Sequence, residues 1–161
     1  MKQKQGQWEP AKPALDNAKR ELCDFAKEYF RAGRKTARKG TSAERLHQFR
    51  LATKHFRYLL ELFEPLYGKR LDGLVRQLRQ VQTILGELND FTATAALLAD
   101  RKENTEVQQL FQYLHEERRK KRREFRHHWK LEFDAEGEEL RWLSILGRVR
   151  RSSVVISQSK G

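Results

Sequence analysis

The chain has 161 residues, long enough for one domain that buries a core without covalent or metal staples. Its 34 Lys plus Arg against 22 Asp plus Glu give a formal charge of +12, an excess that attracts polyanions without choosing among nucleic acid, anionic membrane and polyphosphate. A single cysteine, Cys23, excludes an intramolecular disulfide and a multi-cysteine metal site, and no apolar run approaches the roughly 18 residues of a membrane span.

Residues 1–11 are polar and read as a loose arm with no signal-peptide core, so the expected location is the cytoplasm. A first helix is expected from about Pro13 to Lys39, with Leu15, Ala18, Leu22, Ala26 and Tyr29 as its apolar stripe. Arg20, Lys27, Arg31, Arg34 and Arg38 share the opposite side. Cys23, between Leu22 and Phe25, reads as a small core filler. Gly40-Thr41-Ser42 breaks the chain, and Thr41 or Ser42 can cap the next helix.

That second helix, Leu46 to Phe63, stacks Phe49, Ala52, Phe56, Leu59, Leu60 and Phe63 on one side. On the other side stand His47, Arg50, Lys54 and Arg57, with Tyr58 beside them, before the first acid, Glu61. A merely solubilising face mixes signs, because like charges three or four residues apart destabilise a helix. The one-signed face reads as a ladder for anions. At about 5.4 Å per turn it is a row roughly 15 Å long, suited to a linear chain of phosphates.

Pro65 and Gly68 mark a turn, and a third helix is expected from Lys69 to Leu98. Its stripe is Leu71, Leu74, Val75, Leu78, Val81, Leu85, Leu88, Thr92 and Ala96, with Arg76 and Arg79 on its flank. Gly86, costing about 1 kcal/mol against Ala in a helix, suggests the close approach of another helix or a ligand. After a polar connection at 100–105, a fourth helix is expected from Glu106 to Phe133. Its stripe of Val107, Leu110, Phe111 and Leu114 resumes at Phe125 and Trp129, and the same sector between them holds Arg118, Lys121 and Arg122. Such cations imply either that the helix leaves the core there or that it faces a polar, anion-filled cavity, since burying unpaired charge costs several kcal/mol per ion. A short helix over Glu138–Leu146 is expected to lay Leu140, Leu143 and Trp142 on the core, followed by a basic, mobile tail at 147–161. The fold class read from this pattern is all-α, an antiparallel four-helix bundle with a short extra C-terminal helix.

Catalytic constellations are thin. The five histidines (His47, His55, His115, His127 and His128) match no zinc spacing, and there is no Gly-rich phosphate loop or nucleophile elbow. Glu87 and Asp90, one turn apart, read as partners that hold nearby Arg side chains, against a weaker alternative of metal-dependent phosphate hydrolysis. The planar guanidinium forks and the lysines suit phosphate oxygens.

Two motifs then carry a resemblance. His47-Gln-Phe-Arg50-Leu-Ala-Thr-Lys54-His55-Phe-Arg57-Tyr58, followed by Leu78-Arg79-Gln-Val-Gln82-Thr-Ile-Leu85-Gly86-Glu-Leu88-Asn89-Asp90, resembles the CHAD family, the conserved-histidine α-helical domain, over about residues 13–134. The resemblance implies one helical domain over 12–146 that binds inorganic polyphosphate on a basic surface. It implies no catalysis; no metal and no cofactor are expected from the residues. The expected binding residues are His47, Arg50, Lys54, Arg57, Tyr58, Arg79, Arg118, Lys121 and Arg122, together with Arg20 and Lys27 of the first helix. His55 stands where the family usually has another cation. Association with polyphosphate granules follows from the ligand. Relatives often pair two similar halves, and this chain has one, so a homodimer rebuilding the pair is a further expectation. The alternative function is an RNA- or DNA-backbone-binding helical protein, less favoured because the basic faces carry few aromatics for base stacking; a membrane is not an expected partner.

Overall fold

The computed structural model describes residues 11–99 and 105–148. The expected arm at 1–11 and tail at 147–161 fall almost wholly outside them, as does most of the connection at 100–105. The described chain is all-α. Helix α1 spans Ala14–Thr36, α2 Ala43–Leu62, the single turn α3 Glu64–Tyr67, α4 Asp72–Leu97, α5 Thr105–Glu132 and α6 Glu138–Gly147, with a 3₁₀ turn at Gly68–Leu71 leading into α4. None of these helices is long and apolar enough to cross a membrane.

The breaks have local causes. Gly40, at φ 76°, takes a left-handed conformation open to glycine. Two residues later the Ser42 hydroxyl accepts the Arg45 N–H at 3.2 Å and caps α2. Thr41 instead donates its hydroxyl to the Arg38 carbonyl at 2.8 Å, closing the end of α1.

Side-chain pairs fix how the helices run. Tyr29 of α1 meets Thr53 and Phe49 of α2, and Phe25 meets Phe56, so α1 and α2 are antiparallel. His47, Arg57 and Glu61 of α2 meet Asn89, Gln82 and Arg79 of α4, which makes this pair antiparallel too. α4 packs along both α2 and α5, and α6 lies against α1.

The core is aromatic. Tyr29, Phe30, Phe56, Phe125, Trp129, Phe133 and Trp142 are all fully buried. Trp129 stacks on Phe133 with ring centroids 4.5 Å apart and meets Tyr29, Phe30 and Phe49 at tilted or edge angles. Each such ring buried contributes about 1.5–3 kcal/mol of transfer free energy, and each favourable ring pair about 0.5–1.5 more. Gly33 makes the arrangement fit: a Cβ there would stand 1.9 Å from Trp129 Cη2.

Three expectations need correction. A Cβ on Gly86 would meet nothing within 4 Å, so no helix presses on that glycine; the close approach is at Gly33. Leu140 is 72 % exposed, whereas Trp142 and Leu146 are fully buried, because α6 turns its Trp142 face inward. Near the end of α4, Ala95 is buried and Ala96 exposed, shifting the stripe by one residue from its sequence register. Cys23 is half-buried against the Leu143 carbonyl, and burial pushes its thiol up from the ordinary range.

Candidate anion-binding surface

The polar face of α2 does not point freely into water. It lines the seam with α4, and α4 supplies the groups that orient it. His47 Nδ1 lies 3.0 Å from Asn89 Oδ1. One end of the row is held more tightly: Arg57 Nε donates to Gln82 Oε1 at 2.9 Å and its Nη1 to Glu61 Oε1 at 2.6 Å. Arg79 Nη2 reaches the same Glu61 oxygen at 3.0 Å. Burial works against ionisation of Glu61, but the hydrogen bonds and charges of Arg79 and Arg57 outweigh it and hold the carboxyl below its usual range. Tyr58, half exposed, offers its ring to two cations: the Arg57 guanidinium carbon lies 4.3 Å from its centroid and Lys54 Nζ 5.7 Å.

Between these anchored ends sits Arg50. It is half-buried, and its Nε is buried with no hydrogen-bond partner among the described residues. A buried charged donor left unsatisfied is costly, which makes Arg50 the member of the row with an unmet demand for an acceptor. Lys54, one turn on, is exposed.

The cations that interrupt the stripe of α5 form a second group. All three are half-buried. They do not leave the core, and Lys121 and Arg122 have partners there. Lys121 pairs with Glu87 of α4 and, at 2.8 Å, with Glu124; the hydrogen bonds of Glu124 and Glu87 push its ammonium up from the ordinary range. Arg122 donates to the Thr41 carbonyl at 2.6 Å, and burial, with the nearby Arg118 and Arg126 charges, lowers its guanidinium. Arg118 Nε, like that of Arg50, is buried and unsatisfied among the described residues. The charge of Glu87 is thus spent on a lysine of α5 rather than on an arginine.

Arg20 and Lys27 stand elsewhere. They lie on the stripe of α1 opposite Leu22, Ala26 and Tyr29, the side turned away from α2, where Arg20 donates to Asn17 and Lys27 pairs with Asp24. The structure therefore gathers His47, Arg50, Lys54, Arg57, Tyr58 and Arg79 at one seam, places Arg118, Lys121 and Arg122 on the neighbouring helix, and sets Arg20 and Lys27 apart. His55 stacks on Phe25 at 5.7 Å, on the α1 side of α2.

Residues outside the expected set prove as important as those within it. Gln82 and Asn89 orient Arg57 and His47. Their spacing of seven, placing both on one face of α4, was the available signal. Glu61, one turn beyond Arg57, is the built-in counter-charge that holds two arginines in place.

No curated protein and no solved structure matched the chain. The family description "CHAD domain" matches residues 1–99. The match takes in α1 to α4, and with them the whole α2–α4 seam, and stops before α5, short of the 134 expected from the motifs. CHAD domains are associated in general with polyphosphate binding, and generally bind rather than catalyse. With well over half its length matched, and with the motif histidine and its cations assembled on one seam, the chain belongs to the CHAD-domain family.

Proposed function

We propose that the protein binds inorganic polyphosphate, without catalysis, along the α2–α4 seam. The four long helices act as one antiparallel bundle, with α6 covering one side. The observation that carries this reading is Arg50, a half-buried guanidinium whose Nε is unsatisfied, set in a row whose other members are held in place by Asn89, Gln82 and Glu61. Cations fixed before the ligand arrives lose less side-chain entropy on binding. Phosphates laid along the row would accept from Arg50, Arg57 and Arg79 and lie near Lys54, with His47 at one end. Arg118 and Arg122 extend the positive field from α5.

The site offers no nucleophile with an adjacent base, and the nearest carboxylates, Glu61 and Glu87, are engaged by Arg57, Arg79 and Lys121. The expected setting is the cytoplasm, at polyphosphate granules. A second copy could rebuild a two-bundle assembly with polyphosphate bridging the basic seams, since bare basic faces repel.

Titrating long-chain polyphosphate against single-stranded RNA at several salt concentrations tests the reading. Both weaken with salt, and polyphosphate is expected to bind more tightly at every one. Tighter RNA binding at physiological salt overturns it. Incubation of polyphosphate with Mg²⁺ is expected to release no phosphate; release abolished by Glu87→Gln would establish an enzyme instead. Light scattering with and without polyphosphate tests the bridged dimer, which an unchanged monomer mass refutes.

A further inference from the structure

The outer ridge of α2 is apolar. Leu51, His55, Tyr58 and Leu62 follow one another at intervals of four, three and four residues, so they share one face of the helix. That face lies opposite Phe49, Phe56 and Leu60, which are buried. All four of its residues are exposed, Leu62 to 72 %. A single exposed leucine needs no explanation. About three turns of exposed ridge without a Lys, Arg, Asp or Glu do need one, in a chain of which 35 % is charged.

The ridge borders the anion seam directly. The Tyr58 ring, which belongs to the ridge, lies against the Lys54 ammonium and the Arg57 guanidinium of the basic row. On the opposite flank His55 stacks on Phe25 of α1.

We infer that this ridge is the contact with a second copy of the chain, the two α2 helices pairing antiparallel about a twofold axis, and that the second copy's basic row completes the polyphosphate site. The four-three-four spacing is that of a coiled-coil seam. An antiparallel register that sets Leu51 against Leu62 of the second copy also sets His55 against Tyr58 of the second copy, and twofold symmetry repeats both contacts. The flanks select this occupant by charge. In the same register Lys54 stands opposite Glu61 of the second copy, and the reverse pair forms by symmetry. Lys54 is exposed and has no ion-pair partner among the described residues. Arg57 and Arg79 both bond to Glu61 Oε1, and no described residue bonds to its Oε2. On the other flank half-buried Ala52 meets half-buried Leu59. A parallel pairing would instead set Lys54 beside Leu59.

Antiparallel pairing places the rows of both copies, His47 to Arg57, on the same side of the paired helices. Polyphosphate then lies in one trough with a basic row on each wall. The trough rests on polyphosphate binding at the seam, whereas the α2 contact does not. Two chains of formal charge +12 repel, so the contact closes when salt screens that charge or polyphosphate offsets it.

Sedimentation equilibrium of the full chain without polyphosphate, from low salt up to about 1 M, where screening acts within about 3 Å, tests the contact. The dimer is expected to grow with salt; a chain that stays monomeric at every salt concentration overturns the inference. Leu51→Gln with Leu62→Gln is expected to lower the association constant by about tenfold or more. Leu140→Gln changes an equally exposed leucine on α6 and is expected to leave it unchanged. No loss in the ridge variant, or equal loss in both, overturns the inference. Leu51→Cys and Leu62→Cys chains, each also carrying Cys23→Ala and checked by far-UV circular dichroism, are expected to crosslink when mixed and not alone. Like cysteines stand about 16 Å apart in this register, so crosslinking of either chain alone refutes it. The ridge variant is expected to bind long-chain polyphosphate several-fold more weakly than the parent, and equal affinity overturns the shared trough. Arg50→Ala is expected to weaken polyphosphate binding and keep the high-salt dimer. If polyphosphate binds neither chain while the high-salt dimer still responds to the ridge variant, the seam reading falls and the α2 contact stands.

Discussion

Two glycines in helices should respond to alanine with opposite signs. Replacing either removes the entropic cost of an interior helical glycine, worth about 1 kcal/mol in favour of Ala. At Gly86 nothing stands within 4 Å of the added methyl, so that gain is realised. At Gly33 the methyl would be placed 1.9, 2.1 and 2.5 Å from three atoms of the Trp129 ring. An ordinary contact begins near 3.4 Å, so the ring must retreat by more than an ångström. It cannot do so freely, because Phe133 is stacked on it at 4.5 Å and Tyr29, Phe30, Phe49 and Phe125 surround it. Overpacking of this kind costs about 1–3 kcal/mol, and more where neighbours cannot move. The net expectation is a loss of about 1–2 kcal/mol for Gly33→Ala and a gain approaching 1 for Gly86→Ala. For a domain of this size each kcal/mol moves Tm by about 2–5 °C. Thermal unfolding followed at 222 nm should place the two variants on opposite sides of the parent. A Gly33→Ala melt at or above the parent's would refute the Trp129 packing described here.

Other perturbations test the seam and its supports. Glu61→Gln removes the carboxylate that competes with phosphate for Arg57 and Arg79, so isothermal titration should show tighter polyphosphate binding; weaker binding would mean that holding the arginines in place matters more than neutralising them. Hydrogen bonds and charges from Arg79 and Arg57 outweigh burial at Glu61, and hydrogen bonding from Arg141 does so at Glu138. Both carboxyls therefore have folded pKa values below the unfolded value of about 4.3, so their contribution is present above that pH and lost as the pH falls through the folded values. Denaturant midpoints should drop on acidification below about pH 4, and less steeply in Glu138→Gln. The Tyr67 hydroxyl donates to the Leu146 carbonyl at 2.6 Å, and burial pushes its phenol up to about 12. Tyr67→Phe leaves that carbonyl unsatisfied and should cost about 1–3 kcal/mol in chemical denaturation.

Much of the fold follows from apolar periodicity: the long helices fall within a few residues of where their stripes put them, and Phe125 and Trp129 are buried as their spacing requires. What periodicity cannot convey is contact between distant segments. In the sequence Gly86 draws attention and Gly33 carries no signal, because a glycine's reason lies in what approaches it. The same limit applies at the seam. The charges of His47, Arg50, Lys54 and Arg57 were plain from their spacing, but not that α4 would bring Gln82 and Asn89 to orient two of them. Nor could the sequence sort the cations by partner. Arg57 and Lys121 meet carboxylates and Arg122 meets a carbonyl, although all read alike as basic residues on amphipathic helices.

Arg50 puts the central claim to its most direct test. Hydrogen bonds to charged groups are worth about 1.5–3 kcal/mol each, so Arg50→Ala should weaken long-chain polyphosphate binding by about tenfold or more in a calorimetric titration at physiological salt, with the helical far-UV spectrum and Tm preserved. Unchanged affinity in a folded Arg50→Ala chain would contradict polyphosphate binding at the α2–α4 seam.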